Sequence, residues 1–157
     1  MIIILMGVSG CGKSAVGKAL SKELDLPFYD ADDFHSEENK EKMRKGVPLT
    51  DKDRKPWLKT LADFMSAHGE MILACSALKR SYRRILRVSP EVQLVYLKGP
   101  YSLIRSRLEA RKGHFFDPTL LDSQFGTLEE PYHALTVDIT PPIEAIVQTI
   151  KEKLPHP

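Results

Sequence analysis

The stretch Gly7-Val8-Ser9-Gly10-Cys11-Gly12-Lys13-Ser14 decides the fold. It satisfies the pattern G-x-x-x-x-G-K-[ST] at every fixed position, and its flanks are the ones the pattern needs. Before it, Ile2-Ile3-Ile4-Leu5-Met6 is an uninterrupted apolar run opening on three β-branched residues. Such a run reads as a strand buried on both faces, as in a parallel sheet. After it, Val16, Ala19, Leu20 and Leu24 recur at helical spacing. Strand, glycine-rich turn and amphipathic helix together predict a phosphate-binding loop. The glycines let the backbone curl with its N–H groups inward, and the helix N-terminus adds partial positive charge. Lys13 supplies a point charge for the β- and γ-phosphates. Ser14 offers a hydroxyl to Mg²⁺, which prefers oxygen and keeps most of its waters. The motif implies a nucleoside triphosphate site and leaves the acceptor open.

Outward from this loop the alternation repeats. Further strands are expected at 27–29, 71–75 and 92–97, with a weaker one at 134–139. Helices are expected at about 37–45, 56–68, 78–88 and 101–112. A last helix carries Ile143, Ile146, Val147, Ile150 and Leu154 on one face, with Pro141 and Pro142 marking its start. The reading is α/β: a five-stranded parallel sheet flanked by helices, with right-handed crossovers. No Pro/Gly/Ser-rich linker divides the chain, so residues 1–157 are expected to form one domain. That agrees with the usual size of about 150 residues per domain.

Composition narrows the function classes. Hydrophobic residues are 42% and charged residues 28% of the 157, which excludes disorder, collagen-like repeats and coiled coil. Lys and Arg total 23 against 21 Asp and Glu, and a formal charge of +2 gives no sign of a nucleic-acid binder. The two cysteines cannot make a disulfide framework and fit a reducing compartment. The apolar stretch 1–8 is far short of the ~20 residues that span a bilayer, and it lacks the basic flank and cleavage site of a leader. A cytoplasmic, unprocessed protein without membrane contact is expected.

Asp30-Ala31-Asp32-Asp33-Phe34-His35 follows the second strand directly. Carboxyl ends of parallel strands share one edge, where ligands bind, so Asp30 belongs near Lys13 and Ser14. There Asp30 can hold Mg²⁺ through water, and Asp32 can orient or deprotonate an acceptor hydroxyl. Asp33 and Ser36 can equally cap the following helix. His35 either binds an acceptor hydroxyl or packs within the turn.

Basic residues complete the set. Lys79, Arg80, Arg83, Arg84 and Arg87 share one predicted helix with no acidic residue among them. Lys79 and Arg80, at its start, are acceptor-site candidates, whereas Arg84 and Arg87 read as a solvated basic face. Arg107 and Arg111 are four apart and share a face with Gly113 just beyond, which suggests a lid over the transferring phosphoryl group. A kinase needs such closure to exclude water. Arg54 precedes Trp57 and suits an anionic acceptor; Trp57 itself reads as packing.

Across nearly the whole chain, in order, the sequence resembles the small phosphate-loop gluconokinases of the thermoresistant type. The carrying stretches are GVSGCGKS at 7–14, FYDADDFH at 28–35, NKEKMRKGVPLTDKDRKPWL at 39–58, LACSALKRSYRRIL at 73–86, LVYLKG at 94–99 and RKGHFFDPTLLDSQFGTLEEP at 111–131. The resemblance implies an adenylate-kinase-like P-loop NTPase fold with a mobile lid at about 107–117, and commonly a homodimer. It implies ATP and Mg²⁺ as cofactors and transfer of phosphate to the 6-hydroxyl of D-gluconate. Nucleotide binding then falls to Gly7, Ser9, Gly10, Cys11, Gly12, Lys13, Ser14 and Ala15, with Ser14 and Asp30 at the metal. Asp32, His35, Arg54, Lys79, Arg80, His114 and Gln124 would surround gluconate, and Lys13, Asp32, Arg107 and Arg111 would act in catalysis.

Two positions depart from the family pattern: Cys11 stands where Ser is usual, and Ala15 where Thr is usual. Position 11 contributes mainly its backbone N–H, and Ala15 leaves the Ser14 hydroxyl intact, so neither disturbs the reading. A thiol beside a helix N-terminus and Lys13 is expected to be reactive if accessible, in which case its oxidation would block nucleotide binding. The rival functions are another small-molecule kinase of the same fold, such as a shikimate kinase, and a nucleotide-dependent switch without a metabolite acceptor.

Overall fold

The computed structural model describes residues 1–111 and 117–155. Five strands form one parallel sheet: β1 Ile2–Met6, β2 Phe28–Asp30, β3 Met71–Ala74, β4 Val92–Lys98 and β5 Leu135–Asp138. The spatial order is β2-β3-β1-β4-β5. Ile2 is in register with Met71 on one side and Val92 on the other, which makes β1 the central strand.

All five β1 side chains are buried. Ile3 and Leu5 join one core with Val16, Leu20, Val147 and Ile150. Ile2, Ile4 and Met6 join the other with Leu58, Leu61, Met65 and Leu73. The alternation of a strand thus feeds two cores from one continuous apolar run, each fully buried Ile or Leu contributing about 1.5–3 kcal/mol. The first core is closed by helices α1 (Lys13–Leu24) and, late in the chain, α7 (Ile143–Lys153). The second is closed by α3 (Asp51–His68) and α4 (Arg80–Leu86). Helices α2 (Glu37–Arg44), α5 (Tyr101–Glu109) and α6 (Pro118–Thr127) complete the set among the described residues.

Three elements differ from their sequence expectation. Helix α3 begins at Asp51 rather than near Pro56, because Thr50 and Asp53 form a capping box: Asp53 N–H donates to Thr50 Oγ1 at 3.1 Å and Thr50 N–H to Asp53 Oδ2 at 3.0 Å. Helix α6 was not anticipated. Asp117 caps it by accepting from Thr119 N–H at 2.9 Å, and Pro118 occupies its first turn. The acidic run after β2 is a 3₁₀ turn over Ala31–Phe34, capped by Asp30, and Ser36 rather than Asp33 caps α2.

Candidate active site

The phosphate loop leaves the carboxyl end of β1. Gly7 has φ +151°, and a Cβ there would stand 2.6 Å from Cys11 Sγ and 2.9 Å from Leu97 O, so only glycine fits. Gly12, at φ +99°, starts α1 with no side-chain cap, which leaves the first amides of the helix for an anion. Lys13 Nζ donates to Gly7 O at 2.9 Å and Val8 O at 3.1 Å, folded back across the loop. Cys11 is only 1% exposed and belongs to the α1 core, so the access on which its reactivity depends is not provided. Cys75 is also buried and unpaired, and burial pushes its thiol up to about 12.

Beside the loop, at the ends of β1, β2 and β3, lies a cleft of about 300 Å³. Ser9 and Lys13 form its phosphate end; Asp30, Asp32 and His35 come from the acidic turn, Arg54 and Trp57 from α3, and Gln124 from α6. Asp32 N–H donates to Asp30 Oδ1 at 3.0 Å. Partial desolvation in the cleft, then repulsion from Asp30, opposed by Lys13 and reinforced by Asp33, raises the Asp32 pKa above its ordinary value. The side chain keeps 69% of its surface accessible, so solvent screening limits the effect.

His35 packs within the turn, as one of its two readings has it, and also lines the cleft. It is 7% exposed and lies on Trp57, the ring centroids 4.1 Å apart and the planes 15° from parallel. Trp57 in turn donates from Nε1 to Ala31 O at 2.7 Å, tying α3 to the acidic turn. Burial, then Arg54 and Lys40, lowers the His35 pKa to about 4, so the ring is neutral near pH 7. Asn39 Nδ2 donates to Asp53 O at 2.9 Å and lies 3.2 Å from His35 Nδ1. With this amide orientation Nδ1 accepts, and the ring proton sits on Nε2, 4.0 Å from Asp32 Oδ1.

Arg54 is held at the cleft by a relay. Its Nη1 donates to Tyr82 Oη at 3.1 Å, Tyr82 donates to Asp51, and Lys79 Nζ donates to both Asp51 oxygens at 3.0 Å. Lys79 is therefore engaged outside the cleft, and so is Arg80, whose backbone N–H donates to Glu129 Oε1 at 2.7 Å and whose guanidinium lies 5.6 Å from the Tyr132 ring centroid. Neither of these two lines the cleft. Gln124 does arrive: its Oε1 accepts from Ser9 N–H at 2.6 Å.

Sequence reasoning missed one wall of the cleft, Met43 and Gly46 to Leu49, and on the opposite side Leu120 and Ser123. The first is an aperiodic connection, but Met43, Val47 and Leu120 are exposed large apolar side chains, a signal visible only once folded.

Arg107 and Arg111 line a different cavity, of about 310 Å³, with Gly10, Cys11, Gly12, Pro141, Pro142 and Ile146. Arg107 Nη2 donates to Ile139 O at 2.8 Å. His114 lies outside the described residues. Ser14, Asp30 and Asp33 border a third cavity, an all-oxygen donor set that suits a hydrated Mg²⁺.

A parallel sheet of this order, a phosphate loop at its central strand and a neighbouring polar cleft define a P-loop kinase acting on a small acceptor. The family model described as "Shikimate kinase" matches residues 9–134. The thermoresistant gluconokinase of Escherichia coli K12 is 46% identical over 160 residues, spanning 96% of this chain and 91% of that protein. The chain belongs to the gluconokinase family. The crystal structure of a gluconokinase from Sinorhizobium meliloti 1021 superposes with a TM-score of 0.87 at 42% identity, over 93% of this chain and 86% of that one. A shikimate kinase from Aquifex aeolicus shares the fold alone, at a TM-score of 0.65 and 20% identity over 97% and 94% of the two chains.

Proposed function

We propose that this enzyme transfers the γ-phosphoryl group of ATP to the 6-hydroxyl of D-gluconate. The observation that carries the reading is the cleft in which Lys13, Asp32 and Arg54 converge, in a chain 46% identical to a gluconokinase over almost its full length. A cleft of about 300 Å³ suits a six-carbon acid.

The loop amides and the open N-terminus of α1 bind the polyphosphate, and Lys13 swings from Gly7 O and Val8 O onto it. Ser14 and Asp30 are the residues that would hold Mg²⁺, which when bound neutralises charge on the phosphoryl oxygens. Asp32 accepts the proton of the attacking hydroxyl, and His35 Nε2–H donates to a sugar oxygen. Arg54 faces the gluconate carboxylate. The cavity holding Arg107, Arg111, Pro141 and Pro142 is where the nucleoside end of the donor fits. Catalysis is then mostly positioning and electrostatic stabilisation. The lid at about 107–117, the homodimer and the cytoplasmic location belong to the same proposal and rest on the family resemblance. Among the described residues no helix is long and apolar enough to cross a membrane.

A coupled assay of ADP release over sugar acids, shikimate and nucleoside monophosphates tests this. D-Gluconate is expected to be turned over well above the rest. Preferred turnover of shikimate, or slow hydrolysis indifferent to every acceptor, overturns the reading.

A further inference from the structure

Four arginines of α4 and its C-terminal boundary open onto a fourth cavity, which shares no residue with the acceptor cleft. Arg80, Arg83, Arg84 and Arg87 line it, with Tyr132 and His133 facing them from the segment before β5, around about 320 Å³. No carboxylate lines it. Among the described residues none of the four arginines is in an ion pair, and Arg84 and Arg87 make no side-chain hydrogen bond either.

This is an unfavourable arrangement for the chain alone. Like charges three and four apart on a helix repel; burial first, then Arg80 and Arg87, act against the charge on Arg83, which Glu129 favours. The nearest acids relieve it only in part, Glu129 acting on Arg83 alone. Glu129 Oε1 accepts from the Arg80 backbone N–H, and Glu130 is paired with Lys98 at 2.8 Å. The frame is nevertheless fixed. Arg83 donates to Ala77 O and to Glu129 O, both at 2.8 Å, which pins the segment carrying Tyr132 to α4. Tyr132 itself is 83% exposed, an aromatic face turned to solvent beside the Arg80 guanidinium. Planar guanidiniums in a walled cavity of this size suit bidentate contact with phosphate oxygens.

We propose that this cavity is a second, non-catalytic site for a small phosphorylated anion of two or more negative charges, with Arg84 and Arg87 as its principal contacts. It is separate from both the donor and the acceptor positions.

The test blocks those positions first. The whole enzyme is saturated with a non-hydrolysable ATP analogue, Mg²⁺ and D-gluconate, and inorganic pyrophosphate is then titrated calorimetrically. About one further equivalent is expected to bind, with affinity falling as KCl is raised. In Arg84→Ala/Arg87→Ala that binding is expected to weaken at least tenfold, while kcat and KM stay as in the parent. Arg84→Lys/Arg87→Lys, which keeps charge but loses the planar fork, is expected to fall between them and controls for folding. No binding to the saturated parent enzyme at millimolar pyrophosphate, or equal binding by parent and Ala variant, overturns the proposal. Neither result bears on whether gluconate is the acceptor, which the turnover panel reads separately.

Discussion

The side-chain oxygen of Gln124 accepts a 2.6 Å hydrogen bond from the backbone N–H of Ser9, 115 residues away in sequence. This one bond ties α6, which carries part of the acceptor cleft, to the phosphate loop. Replacing Gln124 by Leu removes the acceptor and leaves a loop donor unpaired, an effect of about 1–3 kcal/mol. Steady-state kinetics are expected to show KM for gluconate rising about 5- to 100-fold, with circular dichroism unchanged. Unchanged KM would separate α6 from acceptor binding.

Asp32 gives a kinetic prediction with a pH signature. In the proposed mechanism the ionised carboxylate is the active form, so activity is expected to fall as pH drops through its pKa. Because that pKa is raised, the acid limb is expected at a midpoint above the ordinary 3.8. Asp32→Asn is expected to lower kcat about 10²- to 10⁴-fold and to abolish the limb, with ATP binding nearly intact. A pH–rate profile on both proteins checks it.

His35 gives the corresponding stability prediction. Its folded pKa of about 4 lies below the ordinary 6.5, so between these values the unfolded chain binds the proton more readily. The neutral ring's contribution is complete above pH 6.5 and is lost as pH falls towards 4, by up to about 3 kcal/mol. Urea unfolding at pH 7, 6 and 5 is expected to show this slope in the parent and a shallower one in His35→Gln. Equal slopes would refute the assignment.

Thr50 can be tested for its local role. Thr50→Ala breaks the capping box of α3 and is expected to reduce stability by about 1 kcal/mol. Thr50→Ser, which keeps the hydroxyl, is expected to lose much less. Thermal unfolding of the pair measures the difference.

The central strand, the loop and α1 were legible because their signals are local: a short apolar run, fixed glycines and helical spacing. The start of α3 differs because Pro56 suggests a boundary, while the Thr50–Asp53 cap that moves it five residues upstream is a weaker pattern. Helix α6 lies outside the helices that periodicity predicts, although Asp117-Pro118 is a recognised start, because its apolar residues make only a weak helical stripe. At the site, Asp32, His35, Arg54 and Gln124 reach the cleft as the sequence suggested, yet the relay through Tyr82 and Asp51 was invisible. It also explains why Lys79 does not arrive, whereas Arg80 is engaged by Glu129 and Tyr132. Lys79 is drawn to an acid 28 residues earlier, and no local rule of spacing contains that pairing.

The placement of β1 divides labour within the molecule. The cradle for the phosphoryl donor grows from the innermost strand, where every side chain is buried in one core or the other. The outer walls of the acceptor cleft, by contrast, include the connection 46–49 and exposed side chains such as Val47 and Leu120. Descendants of this scaffold can therefore retune which acid they accept through peripheral changes, leaving the energy-supplying half of the reaction untouched.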